Sequence, residues 1–354
     1  MHGVLPFLKP VGMTSHDAVS FARRMLGTKR IGHTGTLDPA ACGVLPLCVG
    51  QATRLVEYLQ EGRKEYVAEI TLGIETDTLD AVGKTVHESD ASHITEAELR
   101  AVLPSFIGAI SQTPPLFSAI KRDGKKLYEL ARDGVEESEA AIEARQVVIH
   151  ALEITRFPPH MSTHVAGDST ARPRFMLRVE CGSGTYIRSL ARDIGRALGS
   201  FATMTFLVRT KSGFFSIDNC KTVEDITSDA RGALLPVAPI LRGCAARTFV
   251  DDAAVEAFSH GKTVRFSDAN RDMSTHAQGE YAQGEYAQGE YAQGEYAQGE
   301  YAQGEYAQGE YAQGEAARVL FLNGDESRAA LVRRDSEGQL FRAEKVFDFR
   351  TDAD

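Results

Sequence analysis

The chain has 354 residues, enough for one large domain and a small one, and its 43% apolar content allows a sizeable core. The net charge of −10 argues against a uniformly basic nucleic-acid binder, but eight of the acids, Glu280 to Glu315, sit in one tandem repeat, and without them the balance is −2. Pro6, Pro10 and Gly12 break the amino-terminal apolar stretch and no segment approaches the roughly 20 apolar residues of a membrane span, so neither a signal peptide nor a membrane protein is expected.

In chain order, the first informative segment is Gly32 to Leu55, GHTGTLDPAACGVLPLCVGQATRL. It sets Asp38 in a loop rich in Gly, Thr and Pro. A short apolar run, Val44 to Val49, and an amphipathic helix are expected to follow. Read locally, Asp38 before Pro39 is a helix N-cap, with proline at the first helical position and Gly43 ending a short turn. A carboxylate fixed in this way can also do chemistry without a metal or cofactor, so the two readings are compatible. His33 is a candidate acid or base, or a structural histidine with its hydrogen bonds satisfied. Gly32 and Gly35 lack the lysine and spacing of a phosphate-binding loop, which disfavours ATP chemistry.

Tyr66 to Leu72 alternates as a strand ending at Gly73, and a strand tyrosine packs in the core by default. Thr95 to Leu103 is a helix, with Thr95 and Glu98 forming a capping box. Phe157 to Pro173 reads as an exposed loop. Arg174 to Cys181 is a strand. The Gly182-Ser183-Gly184 turn then feeds a helix, Tyr186 to Leu198, with Ile187, Leu190, Ala191, Ile194 and Leu198 on its apolar face. Arg188, Arg192 and Arg196 fall at i, i+4 and i+8, a stripe that reads as a solvated face with Asp193 pairing a neighbour. This irregular alternation gives α+β, not a doubly wound parallel sheet.

Residues 277 to 315 hold eight AQGE units separated by seven tyrosines. Glycine at every fifth residue opposes a helix, and the polar composition gives the tract no core of its own. The flanking residues read as a small β domain, with strands at Val319 to Leu322, Ala329 to Val332 and Gln339 to Val346. The repeat is then a disordered loop inserted between two strands.

Basic residues cluster at Arg23, Arg24, Lys29 and Arg30; at Lys121, Arg122, Lys125 and Lys126; at Arg188, Arg192 and Arg196; and at Arg209 and Lys211. RNA binding needs only a local basic face, although charge alone reads such clusters as ordinary surface. The five cysteines are odd in number and form no C-x-x-C pair, which fits buried, reduced thiols in the cytoplasm and gives no metal site.

The run G-H-T-G-T-L-D-P-x-A-x-G-V-L-P, followed by G-x-A-T, resembles the catalytic motif of the TruB family, the tRNA pseudouridine-55 synthases. Four more segments match the family in order. They are K-P-x-G-x-T-S from Lys9, the strand around Tyr66, Gln112 to Gly134, and C-G-S-G-T-Y-I-R-S-L-A-R-D-I-G from Cys181. In T-F-L-V-R-T-K-S-G, Val208 departs from the usual arginine. The resemblance covers roughly Gly3 to Gly213 and is weak beyond Cys244.

The resemblance implies a pseudouridine synthase fold, with a mixed, largely antiparallel sheet and flanking helices, over residues 1–243. It implies a small PUA-like β domain over 244–354, carrying the repeat. Asp38 would be the catalytic residue. His33 would place the target nucleotide, Tyr66 would stack on the base, Tyr186 and Leu207 would wall the pocket, and Arg188 would pair with Asp38. A carboxylate screened from water tends to take up a proton, and a nearby guanidinium opposes that. Lys9, Pro10, Gly12, Thr14 and Ser15 would support the catalytic loop, while Lys121, Lys125, Lys126 and Arg132 would meet RNA phosphates.

The expected activity is conversion of uridine 55 in the T-arm loop of tRNA to pseudouridine, by a monomer with no cofactor, no nucleotide and no membrane partner. Two alternatives stand beside it: an RNA-binding or tRNA-folding protein that lost the chemistry, and a pseudouridine synthase for another RNA.

Overall fold

A computed structural model describes residues 1–122, 124–135, 142–156, 172–237, 240, 246–249, 252–265, 318–322, 328–334 and 340–348. The repeat at 277–315, most of the expected loop (157–171) and Cys244 lie outside the described residues. The chain divides into two compact units, one of Leu5–Leu47 and Val56–Ala233, the other of Met1–Val4, Cys48–Leu55 and Leu234–Asp354.

The larger unit is built on a nine-stranded sheet. Its strands run in the order Gly3–Lys9, Cys42–Val49, Ala202–Ser212, Lys64–Leu72, Arg174–Cys181, Arg145–Thr155 and Gly108–Gln112, with Ile31–His33 and Phe215–Ser216 paired off that path. Ala202–Ser212 runs parallel to Cys42–Val49 and antiparallel to Lys64–Leu72, and the sheet continues antiparallel through Arg174–Cys181, Arg145–Thr155 and Gly108–Gln112. The sheet is therefore mixed and mostly antiparallel, in an α+β fold. Cys42–Val49 is buried almost throughout, as the continuous apolar run requires.

Helix Ser15–Leu26 starts at Thr14, whose side chain accepts from Asp17 N while Asp17 accepts from Thr14 N, and it ends at Gly27 in the left-handed region. Ala18, Val19, Ala22 and Leu26 form its buried face. The expected capping box at Thr95 and Glu98 opens helix Glu96–Val102. Helix Ile187–Ala197 buries Ile187, Leu190, Ala191 and Ile194, with Leu198 as its half-buried C-cap. The amphipathic helix expected after Val49 is instead a 3-10 turn, Gly50–Leu55, followed by the short helix Val56–Glu61.

In the other unit a five-stranded sheet runs in the order Ala246–Phe249, Arg318–Leu322, Arg328–Arg334, Leu340–Asp348 and Val264–Arg265. Three of these strands are the ones expected near the carboxyl end, with their ends shifted by one or two residues. Helix Asp252–Ser259 packs Ala254, Val255 and Phe258 against Ala330 and Val332. Arg54 donates to the Val346 carbonyl at 2.6 Å and lies 5.5 Å over the Phe347 ring. Among the described residues, no helix is long and apolar enough to cross a membrane.

Candidate active site

Asp38 sits in a turn, its carbonyl accepting from Ala41 N at 3.0 Å. No helix follows it. Pro39 and Ala40 turn the chain straight into strand Cys42–Val49, so the local reading of Asp38 as a helix cap is corrected. The loop is instead held from outside. Ser15 Oγ donates to Leu37 O at 2.9 Å and accepts from Leu37 N at 2.8 Å. Gly12 N donates to Pro39 O at 2.8 Å, and Thr34 N to Pro46 O at 3.1 Å. Lys9, fully buried, donates to Pro10 O and Met13 O at 2.9 and 2.6 Å. Burial pushes its ammonium below the ordinary lysine value, against the pull of Cys42 and Asp38. The K-P-x-G-x-T-S segment thus clasps the Asp38 loop.

Arg188 reaches this loop from the first turn of helix Ile187–Ala197. Its Nε lies 2.9 Å from Asp38 Oδ2, and Nη2 donates to Oδ1 at 3.3 Å. Nη1 donates to Thr78 O at 2.9 Å and Nη2 to Phe117 O at 3.0 Å. The guanidinium is almost wholly buried while about a third of the Asp38 side chain, 32%, stays exposed. The pair therefore presents a fixed carboxylate at an opening, not a sealed ion pair.

Tyr66 and Tyr186 both feel the Asp38 charge. Burial raises the Tyr66 phenol above its ordinary value, Asp38 adds to the rise, and Arg209 opposes it. Burial likewise raises Tyr186, with Arg188 opposing and Asp38 adding. Leu207 is buried, its carbonyl 3.8 Å from Cys42 Sγ. His33 accepts from Gly35 N at Nδ1, 3.3 Å, and burial, then Arg209, lowers its imidazole below the usual value. Asp38, Arg188, Tyr66, Tyr186, Leu207 and His33 all belong to the larger unit. Among the described residues, no cluster of His, Cys, Asp and Glu could hold a metal ion.

Two family models match the chain in tandem. The TruB family pseudouridylate synthase N-terminal domain covers residues 23–187, and the tRNA pseudouridylate synthase B C-terminal domain covers 188–234. A protein of Symbiobacterium thermophilum named tRNA pseudouridine synthase B is 48% identical over 259 residues, 73% of this chain and 82% of its own length. The chain belongs to the TruB family. A relative of the same name from Listeria monocytogenes serotype 4b is 48% identical over 64% of this chain and 71% of its own length. Among solved structures, a Cbf5-Nop10-Gar1 complex matches with a TM-score of 0.63 at 24% identity, over 98% of this chain and 86% of the matched chain. That likeness shows the pseudouridine synthase fold. As a TruB family member the chain is an isomerase that forms pseudouridine.

Three polar side chains in the same unit, Gln112, Arg192 and Arg209, are buried, which no local sequence pattern foretells. Gln112 is buried at the end of strand Gly108–Gln112. Its Oε1 accepts from Tyr186 N at 2.8 Å and its Nε2 donates to Tyr186 O at 3.2 Å, replacing the side-chain cap that Tyr186 itself does not provide. Arg192 belongs to the expected solvated stripe, yet it is 2% exposed, paired with Asp193 at 2.9 Å and donating to Thr113 O at 3.1 Å. Only Arg196 of that stripe faces water, 3.6 Å from Glu75. Arg209, grouped by charge with the surface lysines, is 1% exposed.

Of the expected phosphate contacts, Lys125 is exposed on the hairpin of Lys121–Arg122 and Lys125–Lys126, with Nζ 3.6 Å from Asp133. The side chains of Lys121, Lys126 and Arg132 lie outside the described residues. Of the cysteines, Cys48 and Cys181 are buried as expected, whereas Cys42 and Cys220 are half-buried.

Proposed function

We propose that this chain isomerises the uridine at position 55 in the T-arm loop of tRNA. The observation that carries this reading is the forked Arg188–Asp38 contact at a half-open carboxylate. Relatives named tRNA pseudouridine synthase B support tRNA as the substrate. A loop nucleotide is already partly unstacked, so everting it costs only about a few kcal/mol.

The reaction breaks the N1–C1′ bond, turns the uracil and joins C5 to C1′. C5 loses its proton and N1 gains one, so nothing is oxidised or hydrolysed and no cofactor is consumed. Asp38 starts it by one of two routes. In the first, Oδ attacks C1′, uracil leaves as its anion, and the sugar ester opens when C5 attacks C1′. In the second, Asp38 takes the C2′ proton as uracil leaves, giving a C1′–C2′ double bond, and returns the proton to C2′ when C5 attacks C1′. A deuterium at C2′ separates them, because only the second route breaks that bond. Tyr66 stacks on the base, and its hydroxyl relays the C5 proton late, taking that proton up as it passes its own to water. Tyr186 and Leu207 wall the pocket, His33 helps place the nucleotide, and Arg188 fixes the carboxylate. The five-stranded sheet of the smaller unit, read as PUA-like, adds a second RNA-contacting surface.

A T-arm stem-loop tritiated at uridine C5 tests the reading. The wild-type chain should release tritium. Asp38→Asn should release none yet bind the stem-loop with near wild-type affinity. Binding without release by the wild-type chain would favour an RNA-folding role. Pseudouridine formed in another RNA, with the stem-loop left unconverted, would favour a different substrate.

A further inference from the structure

Arg209 is a buried cation that the roles above leave unused. It is 1% exposed, and among the described residues it has no ion-pair partner. An uncompensated buried charge is costly, so its hydrogen bonds matter. Nε donates to Val44 O at 2.7 Å and Nη2 to Gly35 O at 3.1 Å. These two carbonyls bracket Asp38 along the chain, three residues before it and six after.

The strand register gives the same group a third neighbour. Arg209 stands opposite Tyr66 in the antiparallel pairing and opposite Gly43 in the parallel one. Directly opposed side chains share a sheet face, and the guanidinium lies beside the Tyr66 phenol. A Cβ on Gly43 would meet Arg209 O at 2.2 Å, so the backbones touch where glycine leaves room. The strand that carries Arg209 thus lies between the strand of Tyr66 and the strand that leaves the Asp38 loop.

We propose that Arg209 is a positioning residue for the isomerisation, tying the loop of Asp38 to the strand of Tyr66 so that one planar guanidinium sets carboxylate and phenol relative to each other. This rests on the roles given above to Asp38 and Tyr66. Arginine suits the task because its rigid fork holds both carbonyls while it faces the phenol across the strand pairing, whereas a lysine ammonium on a flexible stem holds fewer of them in fixed directions. Burial lowers Lys9, His33 and Lys64, and the Arg209 charge adds to each fall. Cys181 and Asp38 are the other charged or titratable groups acting on the phenol.

The test uses the full chain, the T-arm stem-loop, and kcat and KM measured separately. Arg209→Gln should lower kcat by about 100-fold with KM within about threefold, because misplacing a reacting group by an ångström costs rate more than binding. Arg209→Lys should recover part of kcat. Combined with Tyr66→Phe, Arg209→Gln should cost less than the product of the two single effects, the signature of residues acting through one another. A kcat within twofold of wild type per folded molecule, a change confined to KM, or a combined loss equal to that product would overturn the proposal. Should Arg209→Gln fold poorly, the monodisperse fraction of Arg209→Lys decides by the same kcat. The two readings fail separately. Turnover by Asp38→Asn removes the Asp38 mechanism, whereas an inactive Asp38→Asn beside a fully active Arg209→Gln removes only the role of Arg209.

Discussion

Arg188 grips both carboxylate oxygens of Asp38 from 150 residues away in the chain, at 2.9 and 3.3 Å. The grip is itself supported. Thr78 O and Phe117 O take further guanidinium donors, which stops the side chain from rotating away. Thr78 precedes Leu79, the one described non-glycine residue with positive φ, at 62°. Such a conformation costs about 1–3 kcal/mol. It is held because Leu79 is buried and donates to Thr76 O at 3.0 Å, while its carbonyl accepts from Met204 N at 3.2 Å. The strained residue thus directly follows the carbonyl that Arg188 meets.

Arg188→Lys should expose how much that fork matters. A lysine keeps the charge but meets one carboxylate oxygen at most and leaves Thr78 O or Phe117 O without a donor. The kcat should fall by about 100-fold, on the order of removing one preorganised donor from an active site. Stem-loop affinity should change far less. Single-turnover rates beside equilibrium binding measure both, and equal losses in the two would mean that Arg188 serves binding instead.

The difference between what the sequence announced and what it hid follows the range of the interactions. The box of Thr95 and Glu98 and the apolar face of helix Ile187–Ala197 are set by residues three and four apart, so periodicity reveals them. The D-P pattern at Asp38 is equally local, but the helix it suggests loses to the parallel pairing that takes Cys42 and Gly43 into the sheet. Gln112 and Tyr186 are 74 residues apart, and nothing near either predicts the amide clasp between them. Arg209 was hidden for the same reason. A charged residue in a strand reads as solvent-facing until a glycine on the next strand shows how closely the chains pack.

Gly43 and Gly12 offer a paired test of that packing. Both have positive φ, 111° and 87°. At Gly12 a Cβ meets nothing within 4 Å, so Gly12→Ala should cost about 1 kcal/mol of backbone strain and little activity. At Gly43 the Cβ would collide with the Arg209 backbone, three of whose atoms lie at 2.2, 2.7 and 2.9 Å. Gly43→Ala should therefore lose at least about 3 kcal/mol, or fail to fold. Chemical denaturation of both variants checks this, and equal small losses would mean that the strands separate easily.

Binding of the stem-loop should weaken steeply as salt rises, because each phosphate contact releases counterions. Lys125 is 63% exposed and its partner Asp133 is 61% exposed. An exposed pair of this kind is worth little, so Lys125 can exchange Asp133 for a phosphate at small cost. Lys125→Ala should reduce the slope of log K against log salt by about one. Titrations between low and physiological salt measure it. A flat response in the wild-type chain would remove the basic-face model altogether.

Lys64 gives a pH prediction whose sign is fixed by its burial. It is buried two residues before Tyr66, with Nζ donating to Gln60 O and Gly62 O. Burial, with the Arg209 charge next, pushes its ammonium from 10.5 down to about 8. Below the folded value both folded and unfolded chains hold the proton, and above the unfolded value neither does. Between the two, only the unfolded chain holds it, so stability should rise with pH in that window. A shift of this size corresponds to about 3.5 kcal/mol at most, taking about 1.4 kcal/mol per unit. Lys64→Met should remove the rise, and Arg209→Gln should shrink it, because it takes away the second cause of the shift. Denaturant midpoints from pH 8 to 10.5, compared between wild type and the two variants, cancel the titration of the other lysines and tyrosines. Identical slopes for wild type and Lys64→Met would show that the buried ammonium keeps its proton, and that its two carbonyl partners outweigh both burial and Arg209.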